Sequence, residues 1–147
     1  MKNEKYDRLY MDMAKRVGEM SYAKRRQVGC IIEKNGRIIS MGWNGMPAGW
    51  DNECEDLSLW KDGKQLTSPI LVTKDEVLHA ESNAIAKLAK SNESGQGSTL
   101  YVTCAPCIHC AKLIHQSGIS KVIFLEEYHD DYGIVFLQKS KVETIKL

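Results

Sequence analysis

Two short segments hold the side chains best suited to chemistry, His79-Ala80-Glu81 and Pro106-Cys107-Ile108-His109-Cys110. Zinc prefers sulfur and nitrogen donors in a tetrahedron, and His79, Cys107 and Cys110 supply three. No fourth protein ligand stands at an obvious spacing, and an open fourth position is what a catalytic zinc needs for water. Glu81, two residues past His79, is then available as an acid or base rather than as a ligand. Two other readings use the same cysteines, because a C-x-x-C pair also serves as half of a structural zinc site or as a redox pair. A structural site wants a second pair of ligands; Cys30, Cys54, Cys104, His109, His115 and His129 are spare but form no tight pair. A redox pair leaves His79 and Glu81 without a role and predicts reversible Cys107–Cys110 oxidation with no bound metal.

Both motifs fall where helices are expected to begin. Residues 78–91 carry Leu78, Ile85, Leu88 and Ala89 on one side of a helical repeat. Pro106 opens a second helix with Cys107, Ile108, Ala111 and Ile114, and Gly118 closes it, the usual asymmetry of proline at the start and glycine past the end. Unpaired N–H groups and the helix dipole favour negative charge at such ends, which helps cysteines bind as thiolates. Positions i and i+2 do not share a helix face. His79 and Glu81 therefore converge only if the site lies beyond the helix end rather than along its flank.

The remaining elements frame these two helices. Tyr6, Leu9, Met13, Val17 and Met20 recur at helical steps within 5–20, predicting a core-facing helix. Val28–Lys34 and Arg37–Trp43 are β-prone runs joined by Asn35-Gly36, a strong hairpin signal. Residues 51–77 read as a long polar, irregular connection of the kind that is usually functional or mobile. Strands are expected at 99–103, 121–125 and 142–147, with a short helix over 130–140. Strand–helix alternation implies parallel strands with right-handed crossovers, and the hairpin adds an antiparallel pair. The expected fold is a single α/β domain over 1–147, a three-layer α-β-α sandwich whose five-stranded mixed sheet has helices on both faces. His109 and His115 read as surface or core-edge histidines, Cys104 as a small buried hydrophobe and Met41 as packing.

Bulk properties narrow the function classes. The 147 residues are 43% hydrophobic and 27% charged, with formal net charge +1, which disfavours a grip on long nucleic acid yet suits a small phosphorylated substrate. No apolar run approaches the length of a membrane span, and the charged N-terminus lacks the apolar stretch of a secretory signal. Five cysteines, an odd number, fit a reducing cytoplasm better than a disulfide framework.

The H-x-E…P-C-x-x-C pattern resembles that of zinc nucleobase deaminases. Ser21–Arg25, Val28-Gly29, Gly42-Trp43-Asn44-Gly45-Met46-Pro47-Ala48-Gly49, HAESNAI, TLYVTCAPCIHCAKLI, QSGISKVIF and EEYHDDYG are similar to the deoxycytidylate deaminase family across nearly the whole chain, with 51–77 the least constrained. The resemblance implies hydrolytic conversion of dCMP to dUMP with zinc on His79, Cys107 and Cys110 and Glu81 as proton shuttle. It implies Asn44 near the sugar, backbone around Ala105 at the base, and Tyr128 over the pyrimidine or at the phosphate. Lys24, Arg25 and Arg26 are the cation cluster from which a phosphate contact is expected, the alternative being a solvated turn.

The resemblance further implies a homo-oligomer, hexamer or dimer, with dCTP and dTTP as effectors, Mg2+ accompanying a triphosphate, and Gly42, Asn44 and Gly45 as an allosteric region. A second, structural zinc is not expected, because the 51–77 insert offers Cys54 without a histidine and Ala23 stands where several relatives have cysteine. The rivals are a deaminase of dCTP, cytidine, guanine, a riboflavin precursor or tRNA adenosine on the same scaffold, and a non-catalytic zinc module.

Overall fold

A computed structural model describes residues 4–147. In chain order the elements are α1 (Glu4–Gly18), β1 (Gly29–Lys34), β2 (Arg37–Trp43), β3 (Glu55–Lys61), β4 (Lys64–Thr73), α2 (Ala80–Ala89), β5 (Thr99–Cys104), α3 (Ile108–Gln116), β6 (Lys121–Glu126), α4 (Tyr132–Lys139) and β7 (Glu143–Lys146). Five strands form the main sheet in the order β2-β1-β5-β6-β7. β1 is antiparallel to both β2 and β5, while β5, β6 and β7 run parallel. This is the expected mixed sheet.

Side-chain alternation along β1 divides the core into two layers. Ile31 joins Tyr101 and Ile123 beneath Tyr10, Met11 and Ala14 of α1. Cys30 and Ile32 face the other way, into a cluster with Ala84 and Leu88 of α2, Ala111 and Ile114 of α3 and Leu137 of α4.

Two expectations are corrected. Of the expected stripe, Tyr6, Leu9 and Met13 are exposed on α1, Tyr6 by 49%, Met20 is exposed just past the helix and Val17 is partly buried against the core, while the buried side is Tyr10, Met11, Ala14 and Gly18. Small residues win because α1 lies with its backbone on β1: a Cβ at Gly29 would overlap the Ala14 carbonyl oxygen and the Gly18 nitrogen. The 51–77 segment is not irregular. It contains the antiparallel pair β3–β4, turned through Asp62 and Gly63, both at positive φ. This pair forms a sheet of its own.

Candidate active site

The two chemistry-bearing motifs meet at adjoining helix N-termini. His79 is the N-cap of α2, extended at φ −78° and ψ 156°. Cys107 is the N-cap of α3, at φ −71° and ψ 170°. Pro106 thus precedes the cap rather than opening the helix. Glu81 sits in the first turn of α2, so His79 and Glu81 converge beyond the helix end, as the i, i+2 spacing requires.

Tight backbone packing holds these caps in place. Gly42 of β2 lies under α2, where a Cβ would overlap the Ala80 carbonyl oxygen and come 2.7 Å from the Ala84 nitrogen. Gly45 exchanges backbone hydrogen bonds with Leu78, at 3.0 and 2.8 Å, one residue before His79. The Asn83 amide donates to the Trp43 carbonyl at 2.8 Å.

The donor atoms of His79, Cys107 and Cys110 all lie within 4.8 Å of one another. His79 Nδ1 is 3.5 Å from Cys107 Sγ and 3.4 Å from Cys110 Sγ. A tetrahedral zinc with bonds of about 2.3 Å to sulfur and 2.0–2.1 Å to nitrogen puts such a pair ~3.5 Å apart, so the geometry fits that ion. The Cys107 thiol is held well below its ordinary range, first by its hydrogen bond with Cys110 and then by His79. Cys110 is pushed up by the same bond and by burial. Thiolate character at Cys107 suits a divalent cation, which takes cysteine in its deprotonated form. Among the described residues these three form the one such cluster of potential ligands. Metal analysis of zinc-saturated, dialysed protein is expected to give one tightly held ion per chain, and Cys107→Ser to lose it; two ions per chain would reveal a second site.

Glu81 stands outside the ligand cluster and is only 4% exposed. Burial pushes its carboxyl up to about 7, with the backbone N–H and His79 partly opposing. A carboxyl with that value gives and takes protons readily near neutral pH.

His79, Glu81 and Cys107 line a cavity of about 420 Å³ that also reaches Arg25, Arg26, Asn44, Ala105 and Tyr128. Ala105 and Tyr128 follow the carboxyl ends of β5 and β6, where ligands of α/β sheets gather. Of the basic cluster, Arg25 and Arg26 line the cavity, whereas the Lys24 side chain is exposed away from it. Arg26 donates to Cys104 Sγ at 3.1 Å and to Glu126 at 3.2 Å. The Asn44 amide spans its own backbone neighbours, accepting from Val28 N–H at 2.8 Å and donating to the Arg26 carbonyl at 2.8 Å. It shapes the cavity wall by fixing the 26–28 segment.

Glu55, Thr73 and Val77 also line the cavity, none of them anticipated from the sequence, as does His129, noted there only among the spare ligands. Glu55 Oε1 accepts the Lys24 and Arg25 backbone N–H groups at 2.8 and 3.1 Å, and Thr73 Oγ1 accepts from the Arg25 guanidinium at 3.2 Å. Glu55 and Thr73 lie on the strands that were read as loop; the Asp62-Gly63 turn was the signal available for them. His129 stacks on Tyr128 with ring centroids 3.9 Å apart.

Residues 4–126 match the family described as the cytidine and deoxycytidylate deaminase zinc-binding region. A deoxycytidylate deaminase of Enterobacteria phage T4 is 38% identical over 134 residues, covering 69% of this chain and 68% of the phage protein. A probable deoxycytidylate deaminase of Drosophila melanogaster is 42% identical over 120 residues, 81% of this chain and 58% of the fly protein. The crystal structure of dCMP deaminase from the cyanophage S-TIM5 in complex with dCMP and dUMP superposes with a TM-score of 0.86 at 42% identity, covering 100% of this chain and 99% of that one.

A three-layer α/β fold with a His-Cys-Cys zinc triad and a buried glutamate at paired helix caps defines a zinc-dependent deaminase of the cytidine-deaminase-like fold. Within that class the chain belongs to the cytidine and deoxycytidylate deaminase family.

Proposed function

We propose that this chain converts dCMP and water to dUMP and ammonia. The observation that carries the reading is the meeting, in one cavity, of His79 and Cys107 of the zinc triad, the buried Glu81 and the residues Arg25 and Arg26. Whole-chain likeness to the cyanophage enzyme solved with dCMP and dUMP supports it.

Zinc on His79, Cys107 and Cys110 supplies, when bound, the Lewis acid that makes water nucleophilic near neutral pH. Glu81 takes a proton from the attacking water, delivers it to the ring nitrogen beside the reacting carbon, and helps protonate the departing amine. Its burial keeps that proton from bulk water. Ala105 and Tyr128 bound the pyrimidine, and Asn44 holds the wall facing the sugar. Arg25 is the stronger phosphate contact, because its guanidinium has a neutral side-chain partner, Thr73, whereas Arg26 is already shared with Glu126. A monophosphate needs only such a local pair of cations, consistent with a net charge of +1.

Homo-oligomeric assembly and control by dCTP and dTTP, with Mg2+ on the triphosphate, belong to the same proposal. The exposed apolar stripe of α1 supports assembly. Asn44 and Gly45 support coupling, since they tie the cavity wall to the residue before His79. All five cysteines are free, which suits the cytoplasm, and among the described residues no helix is long and apolar enough to cross a membrane.

Ammonia release by zinc-loaded protein offered dCMP, CMP, dCTP and deoxycytidine separately tests the reading. Preferred turnover of dCMP is expected. No turnover of any of them by folded, zinc-bound protein would move the assignment to another base.

A further inference from the structure

Glu55 places a carboxylate in a cavity assigned to a phosphorylated substrate, and no step of the deamination uses it. It lines that cavity with Thr73, Arg25 and Arg26. Glu55 and Thr73 are directly opposed in the register of β3 and β4, so their side chains stand side by side on one face of the pair. Between them they clamp one residue. Glu55 Oε1 accepts the backbone N–H groups of Lys24 and Arg25, at 2.8 and 3.1 Å, and Thr73 Oγ1 accepts from the Arg25 guanidinium at 3.2 Å. An anion held by that guanidinium therefore lies beside the Glu55 carboxylate.

Charge around this clamp sets how much phosphate the cavity tolerates. Among the described residues, the lysine and arginine side chains that line it are Arg25 and Arg26, and Arg26 is paired with Glu126 at 3.2 Å. Lys74, the residue after Thr73, is paired with Asp56 at 3.7 Å. Two guanidinium groups thus stand against two carboxylates, Glu55 and Glu126. One phosphate can still be gripped, because a guanidinium binds it through paired, charge-assisted hydrogen bonds. A second and third phosphate carry more negative charge past Glu55 and meet no further lysine or arginine on the described lining.

We propose that Glu55 limits the cavity to a nucleoside monophosphate: it seats Arg25 for the first phosphate and repels the tail of a diphosphate or triphosphate. Specificity is sharpened by a repulsive element against the wrong ligand beside the attractive one for the right ligand, and like charges brought face to face are such an element. This assignment rests on the deamination of dCMP and adds to it the group that counts phosphates.

The test is kcat/KM of zinc-loaded protein for deoxycytidine, dCMP, dCDP and dCTP, with no added Mg2+ so that each phosphate tail keeps its full charge. Wild-type protein is expected to prefer dCMP, with dCDP and dCTP progressively poorer. Glu55→Gln keeps an oxygen that accepts the Lys24 and Arg25 N–H groups and removes the charge. In that variant the ratio of kcat/KM for dCTP to that for dCMP is expected to rise about tenfold or more, chiefly through KM, as lost like-charge repulsion requires. Glu55→Ala also frees the 24–25 backbone and is expected to raise KM for dCMP more than KM for deoxycytidine, which has no phosphate for Arg25. Salt gives a readout that a merely structural role would not move. Screening weakens the repulsion, so the dCTP-to-dCMP ratio is expected to climb with ionic strength more steeply in wild type than in Glu55→Gln. An unchanged ratio in Glu55→Gln, equal salt slopes in the two proteins, or a wild type that takes dCTP as readily as dCMP would overturn the proposal. A wild type that deaminates none of the four removes the dCMP reading, and this assignment with it.

Discussion

Glu81→Gln is expected to lower kcat by roughly 10²–10⁴-fold, the range that a positioned general acid–base contributes, while the protein keeps its zinc. Glutamine preserves the shape of the side chain but cannot carry a proton from one site to another. Glu81 is suited to that task because burial lifts its carboxyl to about 7, so neither protonation state is costly at neutral pH. It lies outside the cluster of His79, Cys107 and Cys110, so metal analysis should return the wild-type value. Stability separates the roles further. Replacing a buried ionisable group with a neutral amide relieves a cost that function imposes, so Tm is expected to hold or rise. Single-turnover kinetics beside metal content and Tm provide the check. Near-normal turnover in Glu81→Gln would move proton transfer to another group; lost zinc would make Glu81 part of the metal site.

The spacing of the two motifs was legible because helix-cap chemistry is local. His79 and Cys107 need only be extended residues before helical turns, and the i, i+2 relation of His79 to Glu81 already required a site beyond a helix end. The Asn35-Gly36 hairpin and the parallel β5-β6-β7 succession were legible for the same reason. The α1 face was not. That helix is apolar on two sides, and periodicity weights large side chains, whereas Ala14 and Gly18 allow its backbone to touch Gly29. The β3–β4 arm, a sheet of its own, was hidden for the opposite reason. Apolar–polar alternation appears when one face of a sheet meets a core, and the arm has no core to meet. Glu55 and Thr73 went unseen with it, since their role depends on an approach to Lys24 and Arg25 across long sequence separations. The Asn44 amide illustrates a further limit: residue type gives the right hydrogen-bonding capacity, but the structure spends it on the Arg26 and Val28 backbone.

Gly133→Ala is expected to destabilise the protein by about 1–3 kcal/mol or more, the cost of overpacking a filled site, and to weaken zinc binding as well. Gly133 lies in the first turn of α4 and is buried against the turn that carries Cys107. A Cβ there would overlap the Pro106 carbonyl oxygen and stand 2.9 Å from the carbonyl carbon and oxygen of Cys107. These are backbone atoms, so no rotamer change relieves the clash; either α4 backs away from α3 or the Pro106–Cys107 peptide moves. The first response opens the interface around Leu137, and the second displaces a zinc ligand from spacings that now match a tetrahedron. Both lower Tm, by several degrees for a chain of this size. The second also raises the zinc dissociation constant, which competition with a chelator measures. Gly45→Ala is the control, because it lies close to the same site yet its added methyl would meet nothing within 4 Å. If Gly133→Ala and Gly45→Ala behave alike in both Tm and zinc affinity, α4 does not buttress the metal centre. A Tm loss confined to Gly133→Ala with normal zinc affinity would mean that α4 yields before the Cys107 turn does.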